Sequence, residues 1–217
     1  YCSFALLKKQ QGVMRIFCIH FMEELKVLNL QTPLPVIIPA ISNTADLVAF
    51  LDSYADPWVM VKLGDINTLP NIVRRVHEKR KKIIVHHDSI NGLSTDRTSV
   101  RYLANIGVDA VNTTRLHCIS TIQSEKMLAV LGLFIIDSSA VASAVRAVNE
   151  NKPDCALLMP SSLPGRIIRQ IKSETGCPLF GGGLCASSEE LNLLLKAGLE
   201  GVTTSEKSLW HNQQKED

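Results

Sequence analysis

The stretch GCPLFGGGLCASSEELNLLLKAGLEGVTTS, Gly176 to Ser205, holds one complete strand, helix and strand unit. Pro178 to Phe180 opens an apolar run that closes on Gly181-Gly182-Gly183. Leu191, Leu194 and Leu195 follow at helical spacing, Gly198 offers a glycine cap, and a second apolar run starts at Gly201. A helix that carries the chain back between two adjacent strands makes those strands parallel.

The same rhythm extends back through the chain. Strand candidates begin near Val36, Trp58, Ile83, Ala110, Leu133, Cys155, Pro178 and Gly201, at intervals of 22 to 27 residues. Between them run helical stripes, such as Leu69, Ile72, Val73 and Val76, or Val141, Ala144, Val145 and Val148. Gly107, Gly132, Gly176 and Gly198 each precede an apolar segment and are expected to end helices. Eight such units predict an α/β fold, a (β/α)8 TIM-like barrel, with an open doubly wound sheet as the alternative. One barrel domain is expected over 33–217. Residues 1–32 are expected to be an N-terminal extension, partly non-native or poorly ordered, with Met22 as an internal start.

Composition narrows the function classes. Of 217 residues, 23 are basic and 21 acidic, so the net charge of +2 disfavours nonspecific coating of nucleic acid or membrane. An aromatic content of 5% leaves little for a base-stacking platform. Met14 to Met22 is too short an apolar run for a membrane span. The six cysteines form no C-x-x-C pair, which points to reduced thiols and a cytoplasmic protein with no metal site.

In this architecture the loops after the strands gather at one face and hold the site. Glycines there let the main chain approach an anion, and free amides at a helix start supply donors. Gly182, Gly183 and Leu184 after strand 7, with Thr204 and Ser205 after strand 8, are therefore expected to hold a phosphate. Lys62, His86, Asp88, Arg115 and Asp137 are expected as polar ligand contacts. Alternation puts His86 and Asp88 on one face and turns His87 towards the helical layer. For Lys62 a salt bridge to Asp65 or Asp88 competes with a cationic or Schiff-base role; for Arg115 a neighbouring carboxylate competes with the ligand. Arg74, Arg75, Lys79, Arg80, Lys81 and Lys82 form one dense basic run, read as a solvated helix end or as an RNA contact.

Val36-Ile37-Ile38-Pro39-Ala40-Ile41, His86-x-Asp88 with Asn91-Gly92-Leu93 and Asp96, Thr114-Arg115, Ile136-Asp137-Ser138, Pro153-Asp154, Pro160, Gly182-Gly183-Leu184, and Val202-Thr203-Thr204-Ser205 through Leu209-Trp210 follow one another along the chain. In that order these segments resemble the glycerol uptake operon antiterminator family (GlpP). The resemblance implies a barrel that senses glycerol 3-phosphate and, when loaded, acts on leader mRNA so that transcription of glycerol uptake and utilisation genes passes a terminator. It implies no catalytic residue and no cofactor beyond that effector, with an RNA-binding surface or a homodimer contact as the output. Two places depart from the family pattern: Leu157 and Met159 stand where a Glu is often found, and Lys62-Leu63-Gly64-Asp65 replaces a common aspartate. The rival reading is a barrel enzyme, an isomerase or lyase on a sugar or triose phosphate, that uses Lys62, Asp88 or Asp137.

Overall fold

A computed structural model describes residues 34–211. The expected extension over 1–32 lies outside the described residues. Eight parallel strands close into a barrel in sequence order: β1 Ile37–Ile41, β2 Trp58–Val61, β3 Lys82–His86, β4 Ala110–Thr113, β5 Leu128–Phe134, β6 Cys155–Met159, β7 Leu179–Gly182 and β8 Gly201–Thr204. Seven α-helices surround them: α1 Thr44–Ser53, α2 Leu69–Glu78, α3 Arg97–Asn105, α4 Ile119–Ser124, α5 Ser138–Asn151, α6 Gly165–Thr175 and α7 Ser188–Ala197. The barrel expected from the periodicity is the one observed.

Strand alternation creates two apolar layers. Outward residues such as Ile41, Val59, Ile83, Val111, Leu131 and Val202 join one cluster with the helix stripes. Ala40, Met60, Ile84 and Ala110 are register partners on the other face and fill the barrel. Each fully buried Val, Leu or Ile contributes roughly 1.5–3 kcal/mol, so the two layers dominate stability. Asn43, Asp96, Asp137 and Ser187 cap α1, α3, α5 and α7 through their side chains, as short polar residues do before a helical stripe.

One strand begins earlier than expected. β5 starts at Leu128 rather than near Leu133, and Gly132 lies inside it instead of capping a helix. The connection from β4 holds only a 3-10 turn, Leu116–Cys118, and the six-residue α4. Gly132 is needed for space: a Cβ there would lie 3.2 Å from Met159 Cε and 3.4 Å from Thr114 Cγ2.

After β8 the described chain carries a 3-10 turn, Lys207–Leu209, and then docks by its last side chains. Trp210 donates from Nε1 to the Thr204 carbonyl at 3.0 Å and meets Phe50 and Tyr54 edge-on. His211 pairs with the buried Asp56 at 2.7 Å. Cys118, Cys155, Cys177 and Cys185 are free and buried, and burial pushes the Cys177 thiol up to about 12, in keeping with small hydrophobes. No helix among the described residues is long and apolar enough to cross a membrane.

Candidate functional site

The loops after β7 and β8 converge around a cavity of about 200 Å³ lined by Gly183, Leu184, Cys185, Ala186, Thr204, Ser205 and Glu206. Gly183 and Leu184 both take the left-handed backbone, at φ 71° and 57°. Glycine enters that region freely, whereas leucine is strained by roughly 1–2 kcal/mol and must be held there. The hold is visible on both sides. Gly183 N–H donates to Thr203 O at 3.3 Å, and the Gly183 carbonyl accepts from the Ser161 amide at 3.3 Å and from the Ser161 hydroxyl. Thr204 Oγ1 donates to Cys185 O at 2.9 Å and accepts from the Glu206 amide at 3.0 Å, which ties the two loops together.

This bonding decides which amides are free. The Leu184, Cys185 and Ser205 N–H groups have no acceptor among the described residues. Gly182 and Thr204 belong to the strand ladders and the Gly183 amide is engaged, so of the five expected residues Leu184 and Ser205 keep a free amide, joined by Cys185. At the start of α7, Ser187 accepts from the Glu190 amide at 3.2 Å, and Glu190 accepts from the Ala186 amide at 2.7 Å. The free amides that line the cavity itself belong to the loops. Ser161 and Cys185 escape a reading of the sequence because neither their types nor their spacing marks them; only contact across the barrel gives them a part.

Among the expected polar contacts, Asp88 is spoken for. Its carboxylate accepts from the Thr114 amide at 2.9 Å and the Thr114 hydroxyl at 3.0 Å, and lies 3.7 Å from Arg115 Nε. Arg115 thus pairs with the neighbouring carboxylate. Burial alone pushes the Asp88 carboxyl up, but the Thr114 amide and hydroxyl and the two adjacent imidazoles outweigh it and hold the group below its ordinary value. The strand pattern stops at His86, since His87–Ser89 forms a 3-10 turn. His87 is buried with Nε2 3.0 Å from Ser99 Oγ, the packed position expected for it. His86 Nδ1 lies 2.8 Å from Ser89 Oγ.

Asp88→Asn is expected to lower stability by about 0.5–1.5 kcal/mol, as a charge-assisted staple at the solvent edge is weakened. The folded carboxyl titrates below the unfolded value of 3.8. Its contribution is therefore full above that value and fades as pH falls through the folded one. Urea midpoints measured from pH 7 down to pH 3 should fall in the parent, with this acid-limb component missing in the variant. An unchanged acid limb would refute the staple.

Asp137 is exposed and caps α5, accepting from the Ala140 amide at 2.9 Å and the Ser139 hydroxyl at 2.7 Å. It sits on the rim of a separate cavity of about 410 Å³ with Arg166 and Leu163, away from the β7 and β8 loops. Lys62 follows β2 with neither expected partner. Asp65 accepts from the Asn67 and Thr68 amides, at 2.8 and 2.9 Å, and Asp88 is engaged as above.

The basic run divides. Lys81 is 6% exposed, donates to the Tyr54 and Asp56 carbonyls at 2.7 and 2.8 Å, and lies 4.7 Å from the Phe50 ring centre, so it is a core cation and not a surface contact. Lys82 opens β3 and stacks over the buried Trp58 at 5.3 Å. Arg74, Lys79 and Arg80 are exposed and Arg75 half-buried; Arg74 and Arg75 lie within α2, and Lys79 and Arg80 in the turn that leads into β3 at the strand-entry end of the barrel.

Comparison with known proteins adds to this geometry. Residues 37–210 match the family model described as glycerol-3-phosphate responsive antiterminator. The crystal structure of the glycerol uptake operon antiterminator regulatory protein from Listeria monocytogenes matches with a TM-score of 0.78 and 31% identity, over 83% of this chain and 97% of that one. A glycerol uptake operon antiterminator-related protein from Thermotoga maritima shares the fold at a TM-score of 0.72 and 22% identity, over 82% and 99% of the two chains. The Escherichia coli protein YgcP is 25% identical over 175 residues, 80% of this chain and 91% of its own length. The aldolase QR15 has the same barrel at a TM-score of 0.61 and 14% identity, over 79% and 90%.

Proposed function

This chain belongs to the glycerol-3-phosphate responsive antiterminator family, and we propose that it is a non-enzymatic sensor in which bound glycerol 3-phosphate controls action on leader mRNA. The observation that carries the reading is the convergence of the β7 and β8 loops on one cavity with the Leu184, Cys185 and Ser205 amides free. Three such donors suit a phosphate monoester, whose oxygens only accept at neutral pH. The glycerol hydroxyls extend towards His86 and Lys62 across the mouth. Asp88 and Asp137, the carboxylates an isomerase or lyase would draw on, already serve as a staple and a helix cap, which favours the sensor over the enzyme. Incubation with glycerol 3-phosphate or triose phosphates, followed by NMR, should return each ligand unchanged; turnover would overturn the sensor reading.

Ligand can bias the output only by binding two states with different affinity, and the Gly183-Leu184 turn, with its strained Leu184, is the element it would order. Arg74 and Arg80 are the basic-run side chains best placed for RNA phosphates. Retention of labelled leader RNA on a filter, with and without glycerol 3-phosphate and over a salt series, tests this. Changing both to Glu should flatten the log–log salt slope by about 0.7 for each RNA phosphate no longer neutralised. An unchanged slope would place the RNA elsewhere.

A further inference from the structure

We propose that the Lys62 amine captures the carbonyl carbon of a three-carbon phosphate as a reversible imine, giving the mouth a second ligand class, ketone or aldehyde monophosphates, beside the polyol phosphate. The inference rests on the phosphate pocket proposed above and adds a reactive group to it.

Lys62 continues the inward face of β2. Period-2 alternation sets it above Met60, whose partners Ala40 and Ile84 line the barrel, and the register of Val61 on Val85 puts it beside His86. It is half-buried, and while its main-chain N–H donates to Ile41 O at 2.8 Å, its amine has no hydrogen bond or ion pair among the described residues. The two carboxylates expected to pair with it, Asp65 and Asp88, are taken by Asn67, Thr68 and Thr114. A half-withdrawn ammonium without a counterion is costly, and burial holds this amine below its ordinary value. Burial likewise lowers His86, and the charge on Lys62 adds to that, which favours the neutral form of the neighbouring ring.

Reach is provided by the barrel order, in which β8, β1 and β2 are neighbours. At about 4.8 Å per strand the phosphate loop lies roughly 10 Å from the Lys62 main chain. A four-carbon lysine stem and a three-carbon phosphate bridge that span between them. Along the way Thr203 Oγ1 is buried without a partner among the described residues, next to Gly182 on the inner face, and offers its hydroxyl to a ligand oxygen.

In the step itself the amine nitrogen attacks the carbonyl carbon and a C–N bond forms. The π pair passes to the oxygen, which takes one amine proton. The nitrogen lone pair then expels that oxygen, which departs as water with the second amine proton, leaving the imine. His86, with Nδ1 next to Ser89, has Nε2 left to face the leaving oxygen. Nothing is oxidised or reduced.

Dihydroxyacetone phosphate and sodium borohydride, followed by intact-mass and peptide analysis of the full chain, test the proposal. A single reduced adduct on the peptide containing Lys62, suppressed by glycerol 3-phosphate and lowered about tenfold or more in both Lys62→Arg and Lys62→Met, is the expected result. Calorimetry on the same samples separates the two readings. Binding of dihydroxyacetone phosphate without an adduct, or an adduct spread over other lysines and unchanged in the variants, overturns the imine and leaves the phosphate pocket standing. No binding of either phosphate overturns both.

Discussion

Gly183→Asp is expected to weaken glycerol 3-phosphate binding by about 100-fold or more, equivalent to about 2.7 kcal/mol, while leaving the barrel folded. The position suits the test because a Cβ at Gly183 meets nothing within 4 Å. Aspartate is also among the residues that tolerate the left-handed backbone held there at φ 71°. The strain is about 1 kcal/mol and the melting point should move little. The effect on binding comes from charge: at about 5 Å and an effective dielectric of about 20, each unit-charge pair repels by about 3 kcal/mol. Calorimetric titration of parent, Gly183→Ala and Gly183→Asp measures it, with the alanine variant staying within a few-fold of the parent. Equal binding by all three would remove the phosphate from this rim.

Gly201→Ala should act on stability instead, by about 3 kcal/mol or more, because the overpacked atoms are main chain and cannot turn aside. Its Cβ would sit 2.5 Å from the Val36 carbonyl oxygen and 2.8 Å from Phe180 Cε1. The same Val36 carbonyl accepts from the Val202 amide at 2.8 Å and helps to set β8 on β1, the seam where the barrel closes. For a domain of this size the melting temperature should drop by roughly 6–12 °C. Gly183→Ala is the comparison, since it adds the same methyl in open space. A loss at Gly201 no larger than at Gly183 would show that the seam yields.

Several residues read from the chain as ligand or RNA contacts already have partners within the protein, for one reason. Residue type, with a position near a strand end or in a basic run, groups Asp88, Asp137 and Lys81 with binding residues. Each is instead consumed by the protein: Asp88 by Thr114, 26 residues on, Asp137 by the helix it starts, and Lys81 by the carbonyls of Tyr54 and Asp56. Of these only the Asp137 cap is open to a local reading, since it precedes Ser138-Ser139-Ala140 at helix-start spacing. Gly132 misleads in the opposite sense, because a glycine before an apolar run has the same local look in a helix cap and in a crowded strand.

The sequence by itself determined the repeating strand and helix order, and with it the parallel barrel and the end at which ligand groups collect. Both follow from periodicities of two and 3.6 residues, which are written locally. Only the tertiary structure decided which polar groups are left over for a ligand. Among the described residues, the Leu184, Cys185 and Ser205 amides are what remains after Ser161, Thr203 and Thr204 have bonded across the loops, and the Lys62 amine is left over because Asp65 and Asp88 are bonded elsewhere. A donor or acceptor is free only when every neighbour in space has found another partner, and those neighbours come from strands remote in the chain.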